Sequence, residues 1–276
     1  MAAFSAMSTQ SLSASRPTST TYAFYRKFLD SSIALKFVAG VIILSLWEAV
    51  VRIFAPAYVT TPTGVVRVFP KVIVNPEFLS NALATMEAVI VGLAIAIVLG
   101  TVVGLLMGRI KEVRYGLSHY VNSLFTTPMI ALLPLLSLWF GHTSETRLVL
   151  VVLVAFLSVV VNVSDGARGI SEEYLEVARS FRVGKIRTMF DIVLPMLVPH
   201  LIAGVRLAAG RALTAAVIAD FFLAIPGLGY YILYNSRSFH LNEAFVAVVV
   251  LIVAGVGFDR LINWITRRFM PWLRRD

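Results

Sequence analysis

The sequence lacks cysteine and is poor in charged residues, and each shortage excludes a class of protein. Without cysteine among its 276 residues, the chain can form no disulfide, thiolate metal site or thiol nucleophile. Charged residues make up 14% of the chain and hydrophobic residues 58%, whereas about a quarter of a soluble domain is charged. The composition therefore excludes an ordinary soluble domain.

Acidic residues are the scarcer of the charged ones. The 15 Asp and Glu residues against 24 Lys and Arg residues give a net charge of +9. In a soluble protein this surplus would suggest nucleic acid or anionic lipid as a partner. In a membrane protein it indicates cytoplasmic loops rich in Lys and Arg, so we expect the lipid bilayer as a partner and no nucleic acid.

Apolar residues are concentrated in six runs, and a helix needs about 20 such residues to cross a bilayer. The runs cover residues 33–54, 81–107, 117–140, 147–163, 196–223 and 244–265. The third run contains Pro128 and Pro134, which membrane helices tolerate with a kink. We predict an all-α integral membrane protein with about six transmembrane helices.

Polar segments flank this membrane domain. Residues 1–22 hold ten Ser or Thr residues and lack the apolar core of a signal peptide. Organelle transit peptides can also be rich in Ser and poor in acidic residues, but we predict a disordered cytoplasmic tail over residues 1–31. The transmembrane domain is expected over residues 32–269, with a cytoplasmic loop at 166–195. A short cytoplasmic tail is expected over residues 270–276.

The basic residues are unevenly divided between the predicted loops. With the N-terminus inside, 17 Lys and Arg residues lie on the cytoplasmic side and 5 on the opposite side. The remaining two, Arg206 and Arg211, lie within the fifth predicted helix. Because cytoplasmic loops carry the excess of basic residues, both termini are predicted to be cytoplasmic.

Two predicted helices carry stripes of small residues at a spacing of four. The second helix has Gly92, Ala96, Gly100, Gly104 and Gly108, and the fifth has Gly204, Ala208, Ala212 and Ala216. Small residues let membrane helices approach closely. The stripes predict a packed bundle, either within one subunit or across a subunit interface.

The loop between the fourth and fifth predicted helices contains a short predicted helix over residues 171–184. Ser171 is a good N-cap, and Ile170 and Leu175 have the spacing of a hydrophobic staple. Gly184 is expected to close the helix in the left-handed conformation. One apolar face is expected to consist of Tyr174, Val177, Ala178 and Phe181. Such a helix could lie on lipid, pack on its own bundle or insert into a groove of a partner.

The same segment resembles the EAA motif of ABC importer permeases. That pattern is Glu-Ala-Ala, three residues, Gly, nine residues and Ile-x-Leu-Pro. Here Glu176 begins the pattern, Val177 replaces its first Ala, and Arg182 stands where the Gly is expected. The closing residues are Ile192, Leu194 and Pro195.

Three further segments are similar to the nitrate, sulfonate, taurine and bicarbonate branch of these permeases. They are residues 128–141, 204–222 and 227–230, and they follow the family's order. The implied substrate is a small anion such as nitrate, bicarbonate, sulfonate or taurine, delivered by an extracytoplasmic binding protein. Similar permeases also serve importers of pyrimidine-like compounds and aromatic acids.

The resemblance also implies partners and a location. It implies a multi-pass protein of the bacterial inner membrane that pairs with a second permease copy, as a homodimer, or with a paralogue. Two cytosolic ATPase subunits would each receive one coupling helix. That helix is implied at Tyr174, Glu176, Val177, Ala178, Arg179, Ser180, Phe181, Arg182, Val183 and Gly184.

The chain itself is expected to have no cofactor and no catalytic site. ATP would be bound by the partner ATPases, and the sequence has no Gly-x-x-x-x-Gly-Lys-Ser/Thr loop to cradle phosphates. The four histidines lack metal-ligand spacing, so no metal site is expected.

Arg211 is the one charge expected deep in the membrane, about 10 Å inside a boundary near Gly204. It could form a structural ion pair or helix-capping contact, or it could lie in the substrate pathway and attract an anion. Arg206 and Asp220 are expected close to the two membrane surfaces, where both can reach water.

Two other classes of membrane protein compete with an importer subunit. A secondary transporter or channel not coupled to ATP would show paired half-repeats and midplane ion ligands, and the sequence shows no such repeat. A membrane enzyme would need a catalytic cluster at mid-depth, and the sequence offers none.

Overall fold

The computed structural model describes residues 32–54 and 59–270, and its elements there are all helical. The predicted tail at residues 1–31, and residues 271–276 of the second tail, lie outside the described residues. The chain divides into two units, Met1–Ala57 and Tyr58–Asp276. In the first unit, α1 covers Ser32–Phe54 and contains a 20-residue stretch apolar enough to cross a bilayer.

The second unit is a bundle of ten helices among the residues that the structure describes. They are α2 (Pro62–Ile73), α3 (Pro76–Arg109), α4 (Lys111–Thr126), α5 (Leu133–Phe140), α6 (Ser144–Arg168), α7 (Glu172–Ser180), α8 (Lys185–Thr188), α9 (Leu194–Leu223), α10 (Leu228–Arg237) and α11 (Leu241–Phe269). A wide helical turn at Met189–Val193 joins α8 to α9, so that Lys185–Leu223 forms one 39-residue span.

The predicted membrane spans are confirmed, with one of them broken. The third predicted span is a bent pair, Lys111–Thr126 and Met129–Phe140, with 97° between the two parts. The break falls at Pro128, which has no N–H to donate and disfavours a helical Thr127. Thr127 is accordingly extended, with φ −71° and ψ 136°. The described residues therefore contain five helices long and apolar enough to cross a membrane and, if the bent pair crosses as one, a sixth span.

The core is built on α3, α6 and α9, and the stripes of small residues explain how closely these helices pack. A Cβ added to Gly100 would lie 2.8 Å from Cβ of Val159, and one added to Gly104 would lie 2.8 Å from the carbonyl oxygen of Val160. On α9, Ala208, Ala212 and Ala216 are fully buried. Both stripes therefore serve packing within this chain, the first of the two alternatives.

Two short helices outside the long spans and the cytoplasmic loop were not predicted from the sequence. The helix α2 begins at Pro62 after the N-cap Thr61, whose hydroxyl accepts a hydrogen bond from the Gly64 N–H at 3.1 Å. The helix α10 follows α9 and packs through Leu228 and Tyr231 in an apolar cluster that includes Val65 of α2. Each is too short to cross a membrane, so a search for long apolar runs passes over both.

Candidate functional site

The predicted loop helix exists as α7, and its start follows the sequence prediction. The Ser171 hydroxyl accepts a hydrogen bond from the Glu173 N–H at 3.3 Å. Ile170 and Leu175 are buried in one apolar cluster with Val193, as a hydrophobic staple requires. The helix proper ends at Ser180, a few residues before the predicted end. The cluster joins the start of α7 to the turn that leads into α9.

The predicted apolar face of α7 is divided between two environments. Ala178 is buried together with Leu175, because these two residues lie on the side covered by the bundle. Tyr174, Val177 and Phe181 are 53%, 56% and 79% exposed. The single face predicted from periodicity is therefore wrong for Ala178. None of the described residues covers these three side chains, which makes lipid or a partner groove a suitable environment for them.

The end of α7 turns at Arg182 and not at Gly184. Arg182 has φ 54°, and its N–H donates to the Arg179 carbonyl oxygen at 2.9 Å. The Val183 N–H donates to the Ala178 carbonyl oxygen at 2.9 Å, which completes a Schellman motif. Gly184 has φ −64°, so its predicted left-handed conformation is wrong. The left-handed residue falls where the family pattern has its Gly, with an arginine in that place.

The charged residues of this segment are exposed. Arg179 forms an ion pair with Glu172 at 3.3 Å, and since both side chains are largely in solvent the pair adds little stability. The side chains of Glu176 and Arg182 are exposed, and no residue among those described forms an ion pair with either. Ser180 and Gly184 are also exposed, and Val183 is half-buried. The segment therefore presents apolar and charged groups together on the loop.

Arg211 is half-buried on α9, and its environment differs from the ion pair that was one of the alternatives for it. No carboxylate of the described residues forms an ion pair with it. Its guanidinium carbon instead lies 4.3 Å from the centre of the Phe125 ring. Such a contact contributes about 0.5–2 kcal/mol. An arginine at the centre of a membrane helix costs about 2.5–3.5 kcal/mol, so the ring alone does not offset the burial.

Arg211 also lines a cavity of about 330 Å³. The lining residues are Met129, Ile130, Leu150, Val154, Gly210, Arg211, Thr214, Ala215 and Ile218. Ile130, Gly210 and Thr214 are exposed, so the cavity opens on the surface of the single chain. Apart from Arg211 and Thr214, its walls are apolar side chains or glycine. The second cation of α9, Arg206, behaves differently, because it forms an ion pair with Asp259 at 3.0 Å in which both side chains are about half exposed.

The expectation that Asp220 reaches water is wrong. Its side chain is fully buried and accepts hydrogen bonds from Arg147 Nη1 and from Thr85 Oγ1, each at 2.8 Å. Arg147, the first residue of the fourth predicted run, is also buried. The pair joins the start of α6 to the end of α9, at the end of the bundle opposite α7. Removal of one partner of a buried, hydrogen-bonded ion pair strongly destabilises a protein, because it leaves the other charge buried and unpaired.

Arg147 and two side chains of α3 also hold the segment that enters α10. The Gly227 N–H donates to Asn81 Oδ1 at 2.7 Å, and the Leu228 N–H donates to Thr85 Oγ1 at 2.8 Å. Arg147 donates a further hydrogen bond to the carbonyl oxygen of Pro226 at 2.8 Å. We refer to Asn81, Thr85, Arg147, Asp220 and residues 226–229 as the polar clasp. The one sign of the polar clasp in the sequence is that Arg147 and Asp220, of opposite charge, lie at the ends of two consecutive predicted spans.

No group of three or more metal-ligating side chains occurs in the part of the chain that the structure describes. Three features at or near the predicted site residues are the α7 surface, the Arg211 cavity and the polar clasp. The first can bind a protein, the second can attract an anion, and the third holds helices together.

Comparison with known proteins places these features in a family. The model of the family described as "Binding-protein-dependent transport system inner membrane component" matches residues 96–275. A Bacillus subtilis protein named as an aliphatic sulfonates transport permease is 26% identical, with 84% of each chain covered. A formylaminopyrimidine transport permease of Halalkalibacterium halodurans is 25% identical, covering 85% of this chain and 94% of its own. A nitrate import permease of Synechococcus elongatus is 26% identical, covering 83% and 87%.

A solved structure has the same fold. The inward-facing MetNI methionine ABC transporter contains a chain that matches with a TM-score of 0.62 and 17% identity. The match covers 70% of this chain and 95% of that one.

Proposed function

The chain belongs to the family of binding-protein-dependent transport system inner membrane components, and from this premise we propose that it forms the pathway of an ATP-driven importer of a small anion. As an ABC importer permease it is a transport subunit and not an enzyme. Two of the three relatives compared above are named for sulfonate or nitrate transport, which supports an anion. The third relative is named for transport of a formylaminopyrimidine. The choice of an anion as the substrate is therefore supported by two of the three relatives and by the cavity that Arg211 lines.

The uncovered face of α7 carries the proposal for coupling. Tyr174, Val177 and Phe181 leave three large apolar side chains in solvent at the tip of a loop. Exposed apolar patches of this kind mark sites of protein or membrane contact. Nine residues of helix extend about 13 Å, which suits a surface groove and cannot cross a bilayer. We assign the occupant of that contact as a cytosolic ATPase subunit.

The path from this surface into the membrane is short. Leu175 on α7, and Ile170 two residues before the start of that helix, lie in one apolar cluster with Val193, which belongs to the 39-residue span Lys185–Leu223. A displacement of α7 by the ATPase therefore acts directly on that span. The full importer would contain a second permease copy, two ATPase subunits that bind the ATP, and an extracytoplasmic binding protein. Both termini and α7 would be cytoplasmic, in the inner membrane of a bacterial cell.

Cross-linking tests the coupling assignment, because the chain has no cysteine of its own. Val177→Cys should form a cross-link to the ATPase subunit in the assembled complex, with a short bifunctional thiol reagent and a cysteine in the ATPase groove. Val66→Cys is the matched control, since Val66 is an exposed valine on α2, far along the chain from the loop. An assembled complex that cross-links at position 66 and not at position 177 would refute the assignment.

A charge reversal tests the same assignment through transport. Glu176→Lys should lower ATP-dependent uptake about tenfold or more, because hydrogen bonds to charged groups at an interface contribute about 1.5–3 kcal/mol. Glu176 is exposed, so the variant should still insert and fold. The control is Glu112→Lys, an exposed glutamate in the first turn of α4. Normal uptake and normal ATPase association in Glu176→Lys would exclude the coupling role.

A further inference from the structure

The break in the third span and the cation of α9 meet at one cavity. Phe125 lies in the last turn of α4 before the break, and its ring covers one side of the Arg211 guanidinium at 4.3 Å. Met129 and Ile130, in the turn that follows the break, line the same cavity as Arg211. Two independent features therefore share one place in the molecule: an interrupted helix, and a cation that has no carboxylate partner among the described residues.

An interrupted helix at membrane depth has few stable environments. Its irregular backbone must be buried in protein or line a wet cavity, since lipid cannot satisfy the freed polar groups. In transporters, discontinuous helices of this kind form substrate sites near the midplane. Arg211 lies 12 residues before the end of α9 at Leu223, about 18 Å along the helix, which is close to mid-depth for a hydrocarbon core of about 30 Å.

The chemistry of the cavity selects the ligand. A guanidinium is planar and offers several N–H donors in its plane, where they match the paired oxygens of an oxyanion. The guanidinium carbon lies 4.3 Å from the centre of the Phe125 ring, and no carboxylate among the described residues forms an ion pair with it. The Thr214 hydroxyl already donates to the Gly210 carbonyl oxygen at 3.0 Å, so Arg211 supplies the donors. The remaining walls are apolar, which keeps binding weak enough for release.

We propose that Arg211, held by Phe125 at the break between α4 and α5, binds the transported oxyanion in transit through the membrane. The ligand class is a small anion with two or more oxygens in one plane or on one tetrahedral face, such as a nitrate, bicarbonate or sulfonate group. The volume of about 330 Å³ is near the lower end of ligand pockets and suits a solute of this size. This assignment rests on the proposed importer function and names the residue that acts in it.

The test uses the assembled complex in membrane vesicles, with labelled nitrate, bicarbonate and ethanesulfonate as probes. For a probe that the wild type imports, Arg211→Gln should lower uptake about tenfold or more, as expected for loss of a charge-assisted hydrogen bond. ATP hydrolysis stimulated by the loaded binding protein should stay within twofold of wild type. Arg211→Lys should retain part of the uptake. The control is Arg206→Gln, on the same helix but outside the cavity, which should import normally.

The absence of cysteine allows the charge to be restored chemically. In Arg211→Cys, a thiol reagent that adds an aminoethyl group should recover uptake, whereas one that adds a methyl group should not. Equal recovery with both reagents, or wild-type uptake by Arg211→Gln, would overturn the assignment. If Arg211→Gln and Arg211→Cys fail to assemble while Arg211→Lys assembles and imports every probe like wild type, the role is structural and the assignment also fails.

Failure of the proposed importer function and failure of the Arg211 assignment give different results in this experiment. If the wild-type complex shows no ATP-dependent uptake of any of the three anions, the proposed substrate class is wrong, and the Arg211 assignment falls with it. If the wild type imports an anion and the Arg211 variants import it equally well, the importer stands and only the assignment is lost.

Discussion

Arg182 holds a backbone conformation that favours glycine, with φ 54°, at the position where the family pattern has glycine. The Schellman hydrogen bonds around it are complete, so the turn is formed despite the cost. Left-handed backbone costs a residue with a Cβ roughly 1–2 kcal/mol. An exposed arginine that keeps such a conformation is a candidate for a role outside its own chain, and here it lies beside the proposed ATPase surface.

Replacement of Arg182 by glycine tests how much its left-handed conformation costs in stability. Arg182→Gly should raise the free energy of unfolding by about 1 kcal/mol and Tm by about 2–4 °C, because glycine removes the left-handed strain. The measurement is thermal unfolding of the full chain in detergent. Gly184→Ala is the control and should leave Tm nearly unchanged, since Gly184 has φ −64° and no atom lies within 4 Å of an added Cβ. A lower Tm in Arg182→Gly would contradict the strain argument.

Asp220 provides a second prediction at the scale of single residues. Asp220→Ala should lower the free energy of unfolding by about 3–5 kcal/mol, because it leaves the buried Arg147 guanidinium unpaired. In the double variant Arg147→Leu, Asp220→Leu the loss should be smaller, since no buried charge remains. Thermal or denaturant unfolding of both full-length variants gives the comparison. A single variant that is no less stable than the double one would show that the pair is unimportant.

At the scale of the elements, the close packing of α3 against α6 depends on glycines in α3. The carbonyl oxygen of Val160 and Cβ of Val163 would each lie 2.8 Å from a Cβ at Gly104, and a backbone atom cannot move aside by rotating. Gly104→Ala should therefore destabilise the bundle by about 1–3 kcal/mol, the usual range for overpacking.

The matched control for Gly104 is a glycine in a helix with free space around it. Gly257→Ala in α11 has no atom within 4 Å of the added Cβ, so it should be neutral or stabilising by about 0.5–1 kcal/mol. The two single-methyl changes are compared by thermal unfolding of the isolated chain. Equal effects at the two positions would mean that α3 and α6 pack less tightly than the structure indicates.

The elements also show which predictions a sequence can support. The N-cap Ser171 and the staple of Ile170 and Leu175 depend on residues within one or two turns, and the pattern predicted them correctly. The face that α7 presents depends on how α7 lies against distant elements, so periodicity assigned Ala178 to the wrong side. The same limit applies to α2 and α10, whose apolar contacts are with residues far away in the chain.

At the scale of the whole molecule, the membrane spans were predictable because lipid imposes a length on each apolar run. The polar clasp was not, since its contacts join Asp220 to Arg147 and Thr85 across 73 and 135 residues. Asp220 lies near the end of a long helix and was predicted to reach water, because no local sequence pattern indicates that neighbouring helices bury it. The depth of Arg211 in the membrane stays a prediction, and its contact with Phe125 depends on the break after α4.

The orientation of the whole chain remains a prediction and can be tested directly. In intact cells, an impermeant thiol reagent should label Val66→Cys and should not label Ser180→Cys, because 17 of the basic residues are assigned to the cytoplasmic side and 5 to the other. Both positions are exposed, so permeabilised cells should label at both and provide the control. Labelling at 180 but not at 66 in intact cells would invert the topology.

The span Lys185–Leu223 has the proportions of a lever. Its 39 residues extend about 57 Å, with the α7 contact near one end and the polar clasp at the other. If Asp220 in the clasp is the fulcrum, Arg211 lies about 14 Å from it along the helix, which is about a third of the roughly 40 Å to the α7 contact at Val193. A 3 Å stroke at the ATPase end would then move the guanidinium by about 1 Å, which is enough to lengthen a hydrogen bond beyond its working range. The mechanical ratio of this one helix would convert a large motion outside the membrane into a fine adjustment within it.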